Sequence, residues 1–291
     1  MNAPFRPFPQ HDAQIVNGLS VDVEEWFQVG AFERTIDKGA WDSLESRVAT
    51  NTAMVLDLFG QSGVRATFFT LGWVAQRHPA LMRRIVDEGH EIASHGWDHQ
   101  RVFTMTADAF RADLARARAA LEDAAGVAVT GYRAPSFSID ARTPWAHAVL
   151  AEAGYAYSSS VAPVRHDHYG WRESPRFAWR PLADSALIEL PVSVAELAGR
   201  RMAVGGGFFR LLPAALTDLA VRQSLAAGHG AQFYFHPWEV DVGQPRVRNA
   251  PLRSKLRHYS RLGAMAGKLR GLIARHRWGR VDAVAAREAR A

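Results

Sequence analysis

An α/β fold, with parallel strands and helices on the outside, is the class this sequence predicts. Three observations lead there. Short apolar runs of strand character alternate with segments of helical period between residues 14 and 239. Each intervening segment is long enough for the right-handed crossover that parallel strands require. Ionisable residues stand directly after the apolar runs, and α/β proteins build their sites at the carboxyl ends of parallel strands. A closed or nearly closed (β/α) barrel and a doubly wound open sheet both satisfy these observations. The 291 residues, 48% hydrophobic and 22% charged, suit one large domain or two small ones.

The first strand is "QIVNGLSVDV" (14–23). A helix follows over 43–63, with Ser43 as its cap and Gly60 and Gly63 at its end. "RATFFTLG" (65–72) is a strand, and 78–90 is a helix with Pro79 early and Gly89 as its stop. "EIASH" (91–95) is a short strand. The clearest helix runs over 106–126, opened by Thr106 and closed by Gly126. "VTGYRAP" (129–135) is a strand, 143–154 a helix, "ALIELPVS" (186–193) a strand, 212–228 a helix and "AQFYFHPWE" (231–239) a strand.

Composition narrows the chemistry. Cysteine is absent, which excludes disulfides and thiolate metal sites and fits a reducing compartment. Any metal must therefore be held by histidine and carboxylate. No apolar run reaches the roughly 18–20 residues that span a bilayer, and the start lacks the pattern of a secretory signal. Both point to a cytoplasmic chain. Residues 1–14 read as a disordered lead-in and 15–243 as the main domain. Residues 244–291 read as a basic helical extension packed on or beside it. From 245 onward 13 Lys or Arg face two acids, so the segment carries +11 and the remaining chain −5. Such a segment offers contact with an anionic membrane surface or nucleic acid, or is a solvated helix face. Leu252, Leu256, Leu262, Leu269, Leu272 and Ile273 give it a packing stripe, which favours the last reading.

The chemical residues cluster at four strand ends. Asp22 and Glu24 close the first strand, His95 and His99 follow "EIAS", Arg133 and Pro135 follow "VTGY", and His236 follows "QFYF". Two histidines four apart share a face if a helical turn starts there, and can then share a divalent ion. His90 and Asp98 are competing ligands nearby. Along a strand Asp22 and Glu24 point the same way, and Glu25 falls on the other side unless the strand has already turned; a helix-cap or ion-pair role is the alternative for Glu24 or Glu25. Two histidines and one carboxylate leave positions open on a hydrolytic ion, and a second carboxylate can act as base. His236, in an aromatic setting, is a general acid or a satisfied core histidine. Arg133 is a structural ion-pair residue or the group that orients the base.

Together, "SVDVEE", "SHGWDH", "YRAPSF" and "FYFHPWE" resemble motifs one, two, three and five of the polysaccharide deacetylases, the NodB-homology family. "LSVDVEEWFQV", "VGGGFFRLLP" and the basic tail resemble the subgroup found with exosortase-type exopolysaccharide gene clusters. The resemblance implies a distorted (β/α)7 barrel with a basic C-terminal extension. It implies a divalent metal, most often zinc, and hydrolysis of N-acetyl groups on amino sugars of an N-acetylated glycan, with release of acetate. Residue by residue, it implies Asp22 as catalytic base, Arg133 as the group orienting it and His236 as general acid. It implies His95 and His99 as metal ligands, and Pro135, Ser136 and Trp238 on the substrate side. The common first motif has a second aspartate where this chain has Val23, so the third ligand falls to Glu24. The fourth motif, an aspartate followed by tryptophan, is missing; "YAYSSSVAP" offers Ser158 and no acid, with Asp167 and Asp184 further on. Action on a lipid-linked intermediate at the inner membrane face would use the basic tail, and no nucleic acid is expected. Trp171, Trp179, Phe208 and Phe209 are sugar-stacking walls or core and lid residues, and Gly205–Gly207 marks a close backbone approach or a mobile lid.

Overall fold

The computed structural model describes residues 15–166 and 169–290. The expected lead-in over 1–14 and the candidate acid Asp167 lie outside the described residues.

Strand β1 (Asn17–Val23) is buried along its whole length. Its alternation divides two layers. Leu19, Val21 and Val23 join the main core, where Leu56 and Phe59 of helix α1 (Val48–Ser62) also pack. Ser20 and Asp22 face the other way and meet the buried Arg133. Strands β2 (Thr67–Thr70), β3 (Glu91–Ser94), β4 (Gly131–Tyr132), β5 (Tyr157–Ser158) and β6 (Ile188–Glu189) follow in parallel, each beside the last. Helices α2 (Gly72–Arg77), α3 (Pro79–Asp87), α4 (Ala107–Ala125) and α5 (Ala146–Glu152) fill the connections.

The chain then departs from simple βα alternation. An antiparallel hairpin, β7 (Val194–Leu197) and β8 (Arg200–Ala203), precedes α6 (Gly206–Leu211) and α7 (Ala214–Ala226). Strand β9 (Gln232–Phe235) returns to the free side of β1. The circle is therefore β9, β1, β2, β3, β4, β5, β6. No ladder joins β6 to β9 among the described residues, but the Ser193 amide donates to the Gln232 carbonyl at 2.9 Å. This is a distorted seven-stranded (β/α) barrel, and the doubly wound alternative is excluded.

The C-terminal segment is built into this barrel. Helices α8 (Leu252–Tyr259) and α9 (Met265–Arg275) lead to β10 (Trp278–Gly279), which pairs with the start of β1, and then to α10 (Val281–Glu288). Leu262, Leu269, Leu272 and Ile273 are buried, while Leu252 and Leu256 are exposed. One predicted boundary moves. Helix α1 begins at Val48, and Ser43 ends a separate 3-10 turn, Lys38–Ser43. Arg47 is the residue before α1, and the amides of Arg47 and Val48 are bound by Glu25. A distant carboxylate does the capping expected of a local serine.

At the amino ends of the strands Glu91 is buried. It accepts hydrogen bonds from the Tyr157 hydroxyl at 2.8 Å, from the Thr67 hydroxyl and from the Asp282 amide. Burial, with the nearby Asp282 charge, pushes its pKa up to about 7. A raised carboxyl pKa favours the protonated form in the fold, so this contribution is full below the unfolded pKa near 4.5 and is lost as pH rises through about 7. Thermal melts from about pH 5 to about pH 8 are expected to show Glu91→Gln losing less stability than the parent, by a few degrees. Parallel curves would contradict this.

Candidate functional site

The carboxyl ends of β1, β3, β4 and β9 bring the predicted residues together. Asp22 is 3% exposed and receives Arg133 Nη1 at 2.6 Å. The same nitrogen donates to the Ser20 hydroxyl at 2.7 Å, while Nε and Nη2 donate to the Ser159 carbonyl and hydroxyl at 3.0 and 2.9 Å. The guanidinium stacks 4.1 Å above the Phe69 ring. A fully buried arginine held at this many points has one orientation, and Asp22 inherits it.

Glu24, His95 and His99 place one ligand atom each within 4.8 Å of one another. Glu24 Oε2 lies 2.8 Å from His99 Nε2 and 3.9 Å from His95 Nε2. Yet this buried oxygen accepts no hydrogen bond. Donor lone pairs converging without a proton aligned between them suit a shared cation, so the residues fit a divalent metal. The His95 Nδ1 donates to the Arg133 carbonyl at 2.8 Å, since a carbonyl only accepts, and Nε2 is left to the site. Burial pushes His95 down to about 4, which keeps it neutral as a ligand must be. Burial alone would raise Glu24, but His99, His236 and His95 outweigh it and hold the carboxylate down at about 2.

The expected helical turn over 95–99 does not form. Gly96 has φ +77° and His99 φ +63°, so the loop folds back and returns His99 to His95 by left-handed residues. The competing ligands are elsewhere. His90 accepts the Ala66 amide at the amino end of β2, and Asp98 pairs with Lys38. Glu25 is engaged at the start of α1 through the Ser46 hydroxyl and the Arg47 and Val48 amides.

His236 follows β9, with Nε2 3.7 Å from Glu24 Oε1 and Nδ1 2.8 Å from Glu239 Oε1. Burial would lower its pKa, but Glu24 and Glu239 raise it to about 9. Glu239 was not predicted as a site residue. It stands three after His236 in capping-box spacing, and its carboxylate binds both the His236 ring and the His236 amide. Behind it, fully buried Arg210 donates to Glu239 Oε2 at 2.5 Å and to the carbonyls of Arg257, His258 and Ser260. Ser159 completes the shell of Arg133, Glu239 completes that of His236, and Asp184 is exposed.

Trp238 differs from its expected place on the substrate side. Its ring is 6% exposed, lies between His236 and His258 at 5.0 and 4.2 Å, and donates from Nε1 to Glu24 Oε1 at 3.3 Å. It supports Glu24 from behind. Pro135 and Ser136 sit in a 3-10 turn, Pro135–Phe137, where Ser136 and Phe137 have φ +55° and +48°. Two non-glycine residues in the left-handed region make this a strained turn next to Arg133. Phe209 is buried against Phe233 at 4.9 Å and cannot stack on a sugar, whereas Phe208 and Trp171 are half-buried. Gly205 packs on Tyr234, whose ring would lie 2.5 Å from an added Cβ, so the glycine run is a close approach.

Residues 32–158 match the family model described as "Polysaccharide deacetylase". This segment of the chain is similar to polysaccharide deacetylases. Residues 159–286 match a second model, "Domain of unknown function (DUF3473)", which takes in His236 and the C-terminal helices. The chain is 26% identical over 145 residues to chitin deacetylase 1 of Cryptococcus neoformans var. grubii, covering 47% of this chain and 30% of that protein. It is 33% identical over 84 residues to the peptidoglycan-N-acetylglucosamine deacetylase of Listeria monocytogenes, covering 29% of this chain and 18% of that protein. The chain thus spans under a third of either curated relative. A Mycobacterium smegmatis structure described as a "putative polysaccharide deacetylase" superposes with TM-score 0.61 at 24% identity. It covers 99% of this chain and 94% of that one, so the whole fold is shared.

Proposed function

We propose that this chain is a metal-dependent N-deacetylase of amino sugars in an exopolysaccharide or its precursor, working at the inner face of a membrane. The observation that carries the reading is the meeting of Glu24, His95 and His99 beside an Asp22 fixed by Arg133 and a His236 fixed by Glu239. The relatives named for chitin and peptidoglycan support the substrate class, an N-acetylated glycan. No described helix is long and apolar enough to cross a membrane.

Glu24, His95 and His99 would hold the ion. Zinc suits two imidazoles and a carboxylate, and supplies a Lewis acid toward the acyl oxygen and the attacking water. The protein's own groups handle the protons. Asp22 takes a proton from the water as its oxygen adds to the acyl carbon. Arg133 holds Asp22 in line through this step. His236 donates its Nε2 proton to the amine nitrogen as the C–N bond breaks, leaving acetate and a free amino sugar. Glu239 holds the His236 ring through Nδ1 and stabilises its charged form.

The test is acetate release from N-acetylated chito-oligosaccharides, peptidoglycan fragments and an N-acetylated exopolysaccharide. Release on at least one is expected, lost on chelation and restored by zinc. A zinc-loaded chain that releases acetate from none of them overturns the reading. Activity on peptidoglycan alone moves the substrate to the cell wall and leaves the chemistry in place.

A further inference from the structure

The C-terminal basic segment resolves into a buried part and one outward face. Between Asp241 and Asp282 there are 11 Lys or Arg and no acid. Most of the apolar residues there are buried, as Leu262, Met265, Leu269, Leu272 and Ile273 are. Helix α8 is different. Leu252 is 71% exposed and Leu256 59% exposed, while His258 on the same helix is 2% exposed. At about 3.6 residues per turn, Leu252 and Leu256 share the face opposite His258, with Arg253 and Lys255 on its two sides. Beside it opens a surface cavity of about 530 Å³, lined by Arg246, Arg248, Lys255, Leu256 and Tyr259. Cations flanking protruding leucines on a helix fixed from behind are the chemistry of an interfacial helix.

The geometry points to α8 as a docking helix for an anionic phospholipid surface, with Leu252 and Leu256 entering the headgroup boundary and the cavity cations taking lipid phosphates. Charge complementarity selects this occupant. A second copy of the same face would bring like charges together, and nucleic acid gives two protruding leucines nothing to enter. The helix is also tied to the candidate site. Its His258 stacks on Trp238, and Trp238 stacks on His236. A membrane seated on α8 therefore lies two ring contacts from the residue assigned to protonate the amine.

This inference extends the membrane-facing part of the reading above and leaves its chemistry aside, so binding is measured without turnover. Purified full chain is floated with vesicles of phosphatidylcholine holding about 30% phosphatidylglycerol, and with phosphatidylcholine alone. Flotation is expected with the first and not the second, weakening as salt rises. Leu252→Ser with Leu256→Ser is expected to lower the bound fraction at least about fivefold with an unchanged melting temperature. Should that pair fail to fold, Arg253→Glu reads the charged half. No flotation of the parent, or equal flotation of the variants, overturns the proposal. So does retention on duplex DNA in place of vesicles, or a parent dimer that the leucine variant dissolves. A chain that floats without deacetylating fails the chemical reading alone; one that deacetylates without floating fails this inference and the membrane placement it extends, and leaves the chemistry standing.

Discussion

Asp22→Asn is expected to lower acetate release by about three to four orders of magnitude while leaving the bound metal in place. The amide keeps an oxygen that can accept from Arg133, so shape and packing persist. What goes is the ability to take a proton from water. Glu24→Ala should behave differently, because it removes a converging ligand atom. Metal content measured beside kcat separates the two. Glu24→Ala should lose both metal and rate, and Asp22→Asn only rate. Glu25→Gln belongs to a third class and should cost stability at the start of α1. Asp22→Asn activity within tenfold of the parent, with metal bound, would defeat the assignment of the base.

The largest expected loss of stability is at Arg210. It is 1% exposed and its partner Glu239 is fully buried, so removing the guanidinium leaves the Oε2 side of a buried carboxylate without its cation, with only His236 still on Oε1. It also strands three carbonyls. Arg210→Met is expected to destabilise the fold by about 3–5 kcal/mol in denaturant titration. Adding Glu239→Gln should recover part of that loss, since the uncompensated charge is then gone. Additive losses would mean that the pair is not coupled and that the carbonyl contacts carry the effect.

Much of this was legible in the residues. Strand alternation alone put Asp22 and Glu24 on one side and Glu25 on the other, and the structure has that division. Strand ends located His95, Arg133 and His236, because parallel βα units send every strand end to the same rim. What escaped was set by backbone geometry. His99 reaches its place through left-handed residues and not a helical turn. The start of α1 was misplaced because its cap comes from Glu25, 22 residues before Arg47. Glu239 was visible as the third residue after His236, but nothing in "HPWE" tells that Arg210 waits behind it. Trp238 reads as a substrate-side residue for the same reason: periodicity does not report which face of a 3-10 turn is covered.

The pairing of β10 with β1 also governs when the molecule can become whole. The Asn17 side chain donates to the Arg277 carbonyl across 260 residues of chain. Strand β1 needs β2, β9 and β10 as neighbours, and the last of these leaves the ribosome long after β1. Contacts of such separation are slow to close. The strand that carries Asp22 is made before all three of its partners, so a nascent chain lacking residues 278–288 should expose β1 to chaperones and proteases, and ribosome-stalled chains of graded length should become protease-resistant only once α10 has emerged.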